Sequence, residues 1–206
     1  MIKILRFTIY LFIYFNITII SSTFYCQNIL SNGGFEEGQG DWTTYFGTSL
    51  GYNGNLSIIT SNVHSGSKAA RISVTQVPTS PQALKVQLKN NIFHVEAGHS
   101  YHVSLWLKAN QNVDVQIILV QNTTPYAWLG SKTISLSTTY QMFDLQVNNA
   151  PFSTDNDVRF AIRCGNAVAS IFVDDVVITD CTAPTNYYSL HTSVTGKGTV
   201  NINHSL

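Results

Sequence analysis

Ser31-Asn32-Gly33-Gly34-Phe35-Glu36, and far down the chain Ile171-Phe172-Val173-Asp174-Asp175-Val176-Val177-Ile178, are the stretches whose reading decides the fold. The first is a Gly-Gly turn running into an aromatic and an acid. The second is an apolar strand pattern carrying two acids. Between them the chain alternates with period two. Ala70, Ile72 and Val74 alternate with Arg71 and Ser73, and Leu84, Val86 and Leu88 with Lys85, Gln87 and Lys89. Tyr101, Val103, Leu105 and Leu107 alternate with His102, Ser104, Trp106 and Lys108. Val113, Val115, Ile117 and Leu119 share one face, as do Phe143, Leu145 and Val147, and then Val158, Phe160 and Ile162. Runs with one apolar face are half-buried antiparallel strands, and no stretch keeps a helical period for three turns. Turn-forming clusters at 47–55, 77–82 and 151–156 mark connections. The pattern predicts an all-β fold: a two-sheet antiparallel β-sandwich, most simply a jelly roll, whose first and last strands adjoin.

Outside this region the texture changes. Lys3 and Arg6 precede an apolar run of 14 residues, Phe7 to Ile20, that exits through Ser21-Ser22-Thr23. That is the pattern of a secretory signal peptide. An N-terminal membrane anchor is the alternative, although as a helix the run would cover only ~21 Å of a ~30 Å hydrocarbon core. Residues 1–23 are thus expected to be a signal, leaving 9 basic and 11 acidic residues and a formal charge of −2. No basic cluster points to nucleic acid, and no later run could span a membrane as a helix. Residues 24–181 form the sandwich. Residues 182–206 read as a linker, from Thr182-Ala183-Pro184, and the opening hairpin of a second β module around Gly196-Lys197-Gly198. The chain is expected to be secreted, extracellular or at the cell surface. Of three cysteines, Cys26 and Cys181 would sit at the adjoining ends of the first and last strands. Cys164–Cys181 and no disulfide at all remain alternatives.

Few residues offer chemistry. A glycosidase needs two carboxylates about 5–9.5 Å apart across a cleft, and Asp114 with Asp144 is the pair to consider. The six histidines show no metal-ligand spacing, and neither a nucleophile elbow nor a phosphate-binding loop is present. Glu36 and Asp174, beside backbone carbonyls, are oxygen donors of the kind Ca²⁺ takes. Alternatively Glu36 caps backbone amides and Asp174 pairs with Arg71 or Lys68. Trp106 lies opposite the apolar parity of its strand, with Trp128 and Tyr126 near a Thr-Thr-Pro turn. Lys85, Gln87, Gln116 and Arg163 have outward parity on three strands. Aromatic rings beside amides and cations suit sugars, because a pyranose face stacks on a ring while polar groups read its hydroxyls. A loop or neighbouring domain covering Trp106 is the competing reading.

The segments NILSNGGFEEGQGDWTTY (28–45), VHSGSKAARISV (63–74), ALKVQL (83–88), VEAGHSYHVSLWLKA (95–109) and IFVDDVVI (171–178) follow one another as in a known family. Together they resemble the carbohydrate-binding modules of the family 4/9/22-like group. The resemblance implies a galactose-binding-domain-like jelly roll, a cofactor in the form of structural calcium, and a cleft on one sheet. Calcium would be held by Glu36, Asp174 and the carbonyl of Lys68. The cleft would take β-glucan or xylan, with Trp106, Gln87, Trp128, Tyr126, Lys85, Gln116 and Arg163 as candidate sugar contacts. The function implied is non-catalytic binding of polysaccharide, with an attached or associated secreted glycoside hydrolase as partner. A structural or adhesive surface module without sugar binding is the alternative.

Overall fold

A computed structural model of the chain describes residues 26–148, 156–181, 191–195 and 199–203. The expected signal segment, most of the 151–156 connection and the expected linker lie outside the described residues. Among the described residues twelve strands build two sheets. They are β1 (Gln27–Asn28), β2 (Thr43–Phe46), β3 (Asn53–Ile59), β4 (Ala69–Gln76), β5 (Val86–Lys89) and β6 (Phe93–Val95). They continue with β7 (Tyr101–Ala109), β8 (Val113–Gln121), β9 (Trp128–Leu136), β10 (Gln141–Val147), β11 (Asn156–Arg163) and β12 (Ala169–Asp180). One sheet runs β10-β7-β12-β4-β3, with β1 added along β12. The other runs β2-β5-β11-β8-β9, with β6 added along β11. Neighbouring strands are antiparallel throughout, so the two-sheet antiparallel sandwich is the observed fold. A separate hairpin pairs β13 (His191–Thr195) with β14 (Thr199–Asn203).

The alternation explains the core. Ile72 and Val74, Val103, Leu105 and Leu107, Val115, Ile117 and Leu119, and Val158, Phe160 and Ile162 all point between the sheets and are buried. Trp42 is packed there too, 5.1 Å from Phe35 and edge-on to Phe160 at 6.4 Å between ring centroids. Two expectations need correction. Leu84 is not a core residue of an extended strand: it stands in a 3₁₀ turn, Ala83–Lys85, and is exposed. Residues 53–55 are strand, not connection; Asn53 and Gly54 open β3, with a register shift between them. That strand lies at a sheet edge, where an Asn-Gly start and weak apolar alternation are tolerated.

The two deciding stretches meet. The amide of Val176 donates to the carbonyl of Gly33 at 3.0 Å. A Cβ on Gly33 would lie 1.8 Å from the Val176 carbonyl oxygen, so only glycine permits the approach. Asp175 has φ +47° and sits at a break in the β12–β7 register between Asp174 and Val177. This bulge bends the closing strand around the Gly-Gly turn.

β1 and the end of β12 adjoin, with Gln27 opposite Asp180, and Cys26 is bonded to Cys181 with Cα atoms 4.2 Å apart. Cys164 is free and fully buried, and burial pushes its thiol up to about 12. The disulfide closes a loop of 155 residues, which removes much of the freedom of the unfolded chain. Replacing both cysteines, Cys26→Ser with Cys181→Ser, is expected to cost ~2–4 kcal/mol and lower the unfolding midpoint by about 5–15 °C. A thermal melt unchanged by the double substitution would show that the paired strands hold without the bond.

Candidate functional site

The outer face of the β2-β5-β11-β8-β9 sheet carries an open cleft of about 610 Å³. Its side chains follow from register. One cross-strand row runs Tyr45, Gln87, Arg163, Gln116 and Thr133. The next runs Thr43, Lys89, Ala161, Ile118 and Ser131. Beyond it lie Arg159, Val120 and Trp128, the last brought into line by a register shift between Leu119 and Val120. Ile118, Val120 and Ala161 form a small buried cluster separate from the main core, packed beneath the outward side chains, and Val120 is the one of the three that reaches the cleft lining.

Around the cleft stand rings and polar groups. Tyr45, Tyr126 and Trp128 are 40%, 58% and 54% exposed, unusual values for large aromatics. Arg163 lies over the Trp128 ring, 5.4 Å from its centroid, and its Nη1 donates to Gln116 Oε1 at 3.2 Å. Burial lowers the pKa of its guanidinium. Gln87 Nε2 donates to the Leu84 carbonyl at 2.7 Å. Arg159 donates to Asn122 Oδ1, and Lys89 reaches over the Tyr45 ring at 5.8 Å. Burial, reinforced by the charge of Arg159, pushes the Lys89 ammonium below its ordinary pKa.

Of the sugar contacts expected from sequence, Gln87, Tyr126 and Arg163 line this cleft, and Trp128 and Gln116 adjoin it through Arg163. Lys85 is in the 3₁₀ turn before β5 and is not among the lining residues. Trp106 is on the other sheet, opposite Met142 and Asp174. Its ring is half-buried beneath His64, 3.7 Å between centroids and 14° from parallel. Sequence reasoning missed Lys89 and Arg159, which share the outward parity of Gln87 and Arg163, and left Tyr45 unassigned. Asp114 and Asp144 lie on different sheets. The former accepts the Ser135 hydroxyl at 2.6 Å, and the latter faces Lys132 Nζ at 3.3 Å.

The expected metal-binding residues converge on the loop at 64–68, across the molecule from the cleft. Asp174 is fully buried. Its Oδ2 accepts the amides of His64 and Ser65 at 2.8 and 3.2 Å, and its Oδ1 accepts the Asp175 amide at 2.8 Å. Burial pushes this carboxyl above its ordinary pKa, against the pull of those amides. Glu36 Oε1 accepts the amides of Ser67 and Lys68 at 2.9 and 3.0 Å, and Oε2 the Ser67 hydroxyl at 2.6 Å. Led by the Ser67 hydroxyl, these bonds hold its carboxyl below the usual range. Lys68 Nζ donates to the Glu36 carbonyl at 2.6 Å. Amide capping by Glu36 thus agrees with one of the two alternatives, whereas Asp174 takes amides, and Arg71 bonds Ser57 instead. In kind, two carboxylates and the Lys68 carbonyl fit a hard cation, and each carboxylate keeps about one of its four lone-pair sites. Among the described residues no group of three or more His, Cys, Asp or Glu side chains is arranged to hold a metal.

A β-sandwich with exposed rings and amides along a cleft on one outer face has the form of a carbohydrate-binding module. The chain belongs to the CBM 4/9 carbohydrate binding domain family, whose model matches residues 27–169. It is a carbohydrate-binding module. A solved CBM4 domain superposes with a TM-score of 0.60 at 19% identity, covering 72% of this chain and 97% of that one. The CBM22-1 xylan-binding domain of Xyn10C from Paenibacillus barcinonensis gives 0.57 at 11%, covering 78% and 99%. A cyclase from Fischerella sp. TAU gives 0.60 at 14%, covering 78% and 100%. No curated protein matches the chain.

The amide-lined pocket of Asp174 makes a specific demand. Asp174→Asn keeps the shape but turns an amino group toward amides that need an acceptor. It is expected to cost about 2–4 kcal/mol of stability in urea unfolding. A cost below ~0.5 kcal/mol would mean that the loop does not depend on this carboxylate.

Proposed function

We propose that the chain is a secreted or cell-surface module that binds polysaccharide in the cleft between Tyr45 and Trp128, with β-glucan or xylan as the first class to test. Its role is to hold an attached or associated glycoside hydrolase on its substrate. The observation that carries the reading is the set of exposed rings beside amides and cations around the cleft. A pyranose laid on one of those rings puts its C–H face on apolar atoms and its hydroxyls within reach of Gln87, Asn122 and Arg163. Trp106 has a structural part in this reading, since His64 occupies one face of its ring. The hairpin β13–β14 is taken as the opening of a further β module.

Calorimetric titration of the full chain with soluble β-glucan and xylan tests this. Saturable binding is expected, weakened about ten-fold or more by Trp128→Ala, since a ring–sugar stack is worth roughly 1–2 kcal/mol, and unchanged by Trp106→Ala. Loss with Trp106→Ala and not with Trp128→Ala would move the site to the other sheet. No heat with any glycan would favour the structural or adhesive role.

Calcium is the second part of the proposal. Glu36, Asp174 and the Lys68 carbonyl would hold it, and the ion would supply a third tie between the N-terminal turn, the 64–68 loop and β12. If so, chelator treatment of the full chain lowers the unfolding midpoint and added Ca²⁺ restores it. Identical melts in chelator and in calcium would leave the amide bonds as the whole of the clamp.

A further inference from the structure

The cleft is more cationic than neutral sugar recognition requires. Arg159, Arg163 and Lys89 line it, and among the described residues no carboxylate does. The whole sequence balances 11 basic against 11 acidic residues, so this concentration is local. Each guanidinium has five N–H donors, yet the protein partners found are the neutral amides of Asn122 and Gln116. The Nε atoms of Arg159 and Arg163 are buried without a hydrogen-bond partner. Burial lowers the pKa of both Lys89 and Arg163, as expected where positive charge is partly desolvated and uncompensated. The nearest acids on this face are committed elsewhere. Asp157, two residues before Arg159, lies 3.7 Å from His94, and Asp114, two before Gln116, takes the Ser135 hydroxyl.

Register places the three cations around one backbone position. Arg159 and Arg163 flank Ala161 along β11, about 13 Å apart at the backbone at a rise of ~3.3 Å per residue. Lys89 is directly opposite Ala161 on β5. A sugar unit in the cleft would meet a positive group on three sides. A guanidinium favours planar or tetrahedral oxyanions, which accept two of its N–H groups at once.

We propose that the cleft takes an acidic polysaccharide, one whose sugar units carry a uronate carboxylate or a sulfate ester, and that Arg159, Arg163 and Lys89 read the anionic group. This rests on the reading that the cleft is the glycan site and names the class of glycan. The test is affinity measurement on the full chain at low and high salt with four polymers: a polyuronate, a sulfated galactan, a neutral β-glucan and polyglutamate. The polyuronate or the sulfated galactan should bind at least about ten-fold tighter than the neutral glucan, and salt should weaken it. Whichever is preferred identifies the source of the anion. Arg163→Gln and Arg159→Gln should each cost about ten-fold or more for the acidic polymer. Lys132→Gln, which removes a charge on β9 facing Asp144, should leave it unchanged. Salt-independent binding of neutral glucan with equal or higher affinity would overturn the inference while leaving the glycan-site reading intact. Polyglutamate bound as tightly as the acidic glycan would also overturn it, by reducing the effect to bulk charge. Binding of no glycan at all would remove both.

Discussion

The buried carboxylate of Asp174 is the constraint on which the molecule closes. A carboxylate without access to water must have its charge met, and the chain meets it with the amides of His64, Ser65 and Asp175. The 64–68 loop therefore has to cross the end of β12, and its far side is gripped by Glu36 from the N-terminal turn. Gly66, with φ +62°, gives the loop its shape, and a Cβ there would stand 2.2 Å from Glu36 Oε1. Three segments distant in sequence thus define one junction, and Gly33 against Val176 completes it. His64, carried in by this junction, comes to rest on Trp106, with its Nδ1 2.6 Å from Asp175.

That chain of contacts shows what the sequence could disclose. Period-two alternation separates inward from outward residues, and it does so correctly for β4, β5, β7, β8, β10 and β11. It does not say which sheet a strand joins. Trp106 and Arg163 both read as outward, yet they stand on opposite faces of the sandwich because β7 and β11 belong to different sheets. The covering of Trp106 by His64 depends on a loop that local pattern cannot place. β3 and β9 were hard to read for a related reason. β3 opens on Asn and Gly and is only partly covered, while the shift at Leu119/Val120 breaks the parity of β9 just where Trp128 joins the cleft.

The junction and the cleft are physically separate, one on each side of the core. Buried Ile117, Leu119, Phe160 and Ile162 lie behind the cleft. Their inward packing fixes the backbone, so the outward residues of the same strands are presented on a rigid surface. Such an arrangement lets outward residues vary at small cost to the fold, since most surface substitutions change stability little. The cleft's chemistry therefore carries information that the core does not.

The structural neighbours make the same point from outside. A CBM4 domain and a cyclase superpose equally well, each with a TM-score of 0.60, so the sandwich alone does not separate binder from catalyst. The family match over residues 27–169 is what places this chain among carbohydrate-binding domains. Within the family, what distinguishes one member from another must lie in outward rows such as Tyr45–Gln87–Arg163–Gln116. Here those rows set Arg159, Arg163 and Lys89 beside the exposed rings of Tyr45 and Tyr126 around one cleft. Rings alone would favour stacking, and a carboxylate-bearing cleft would favour hydroxyl donors. Rings with cations suit a ligand that offers an apolar face and negative charge together, the combination that the proposed acidic glycan would bring.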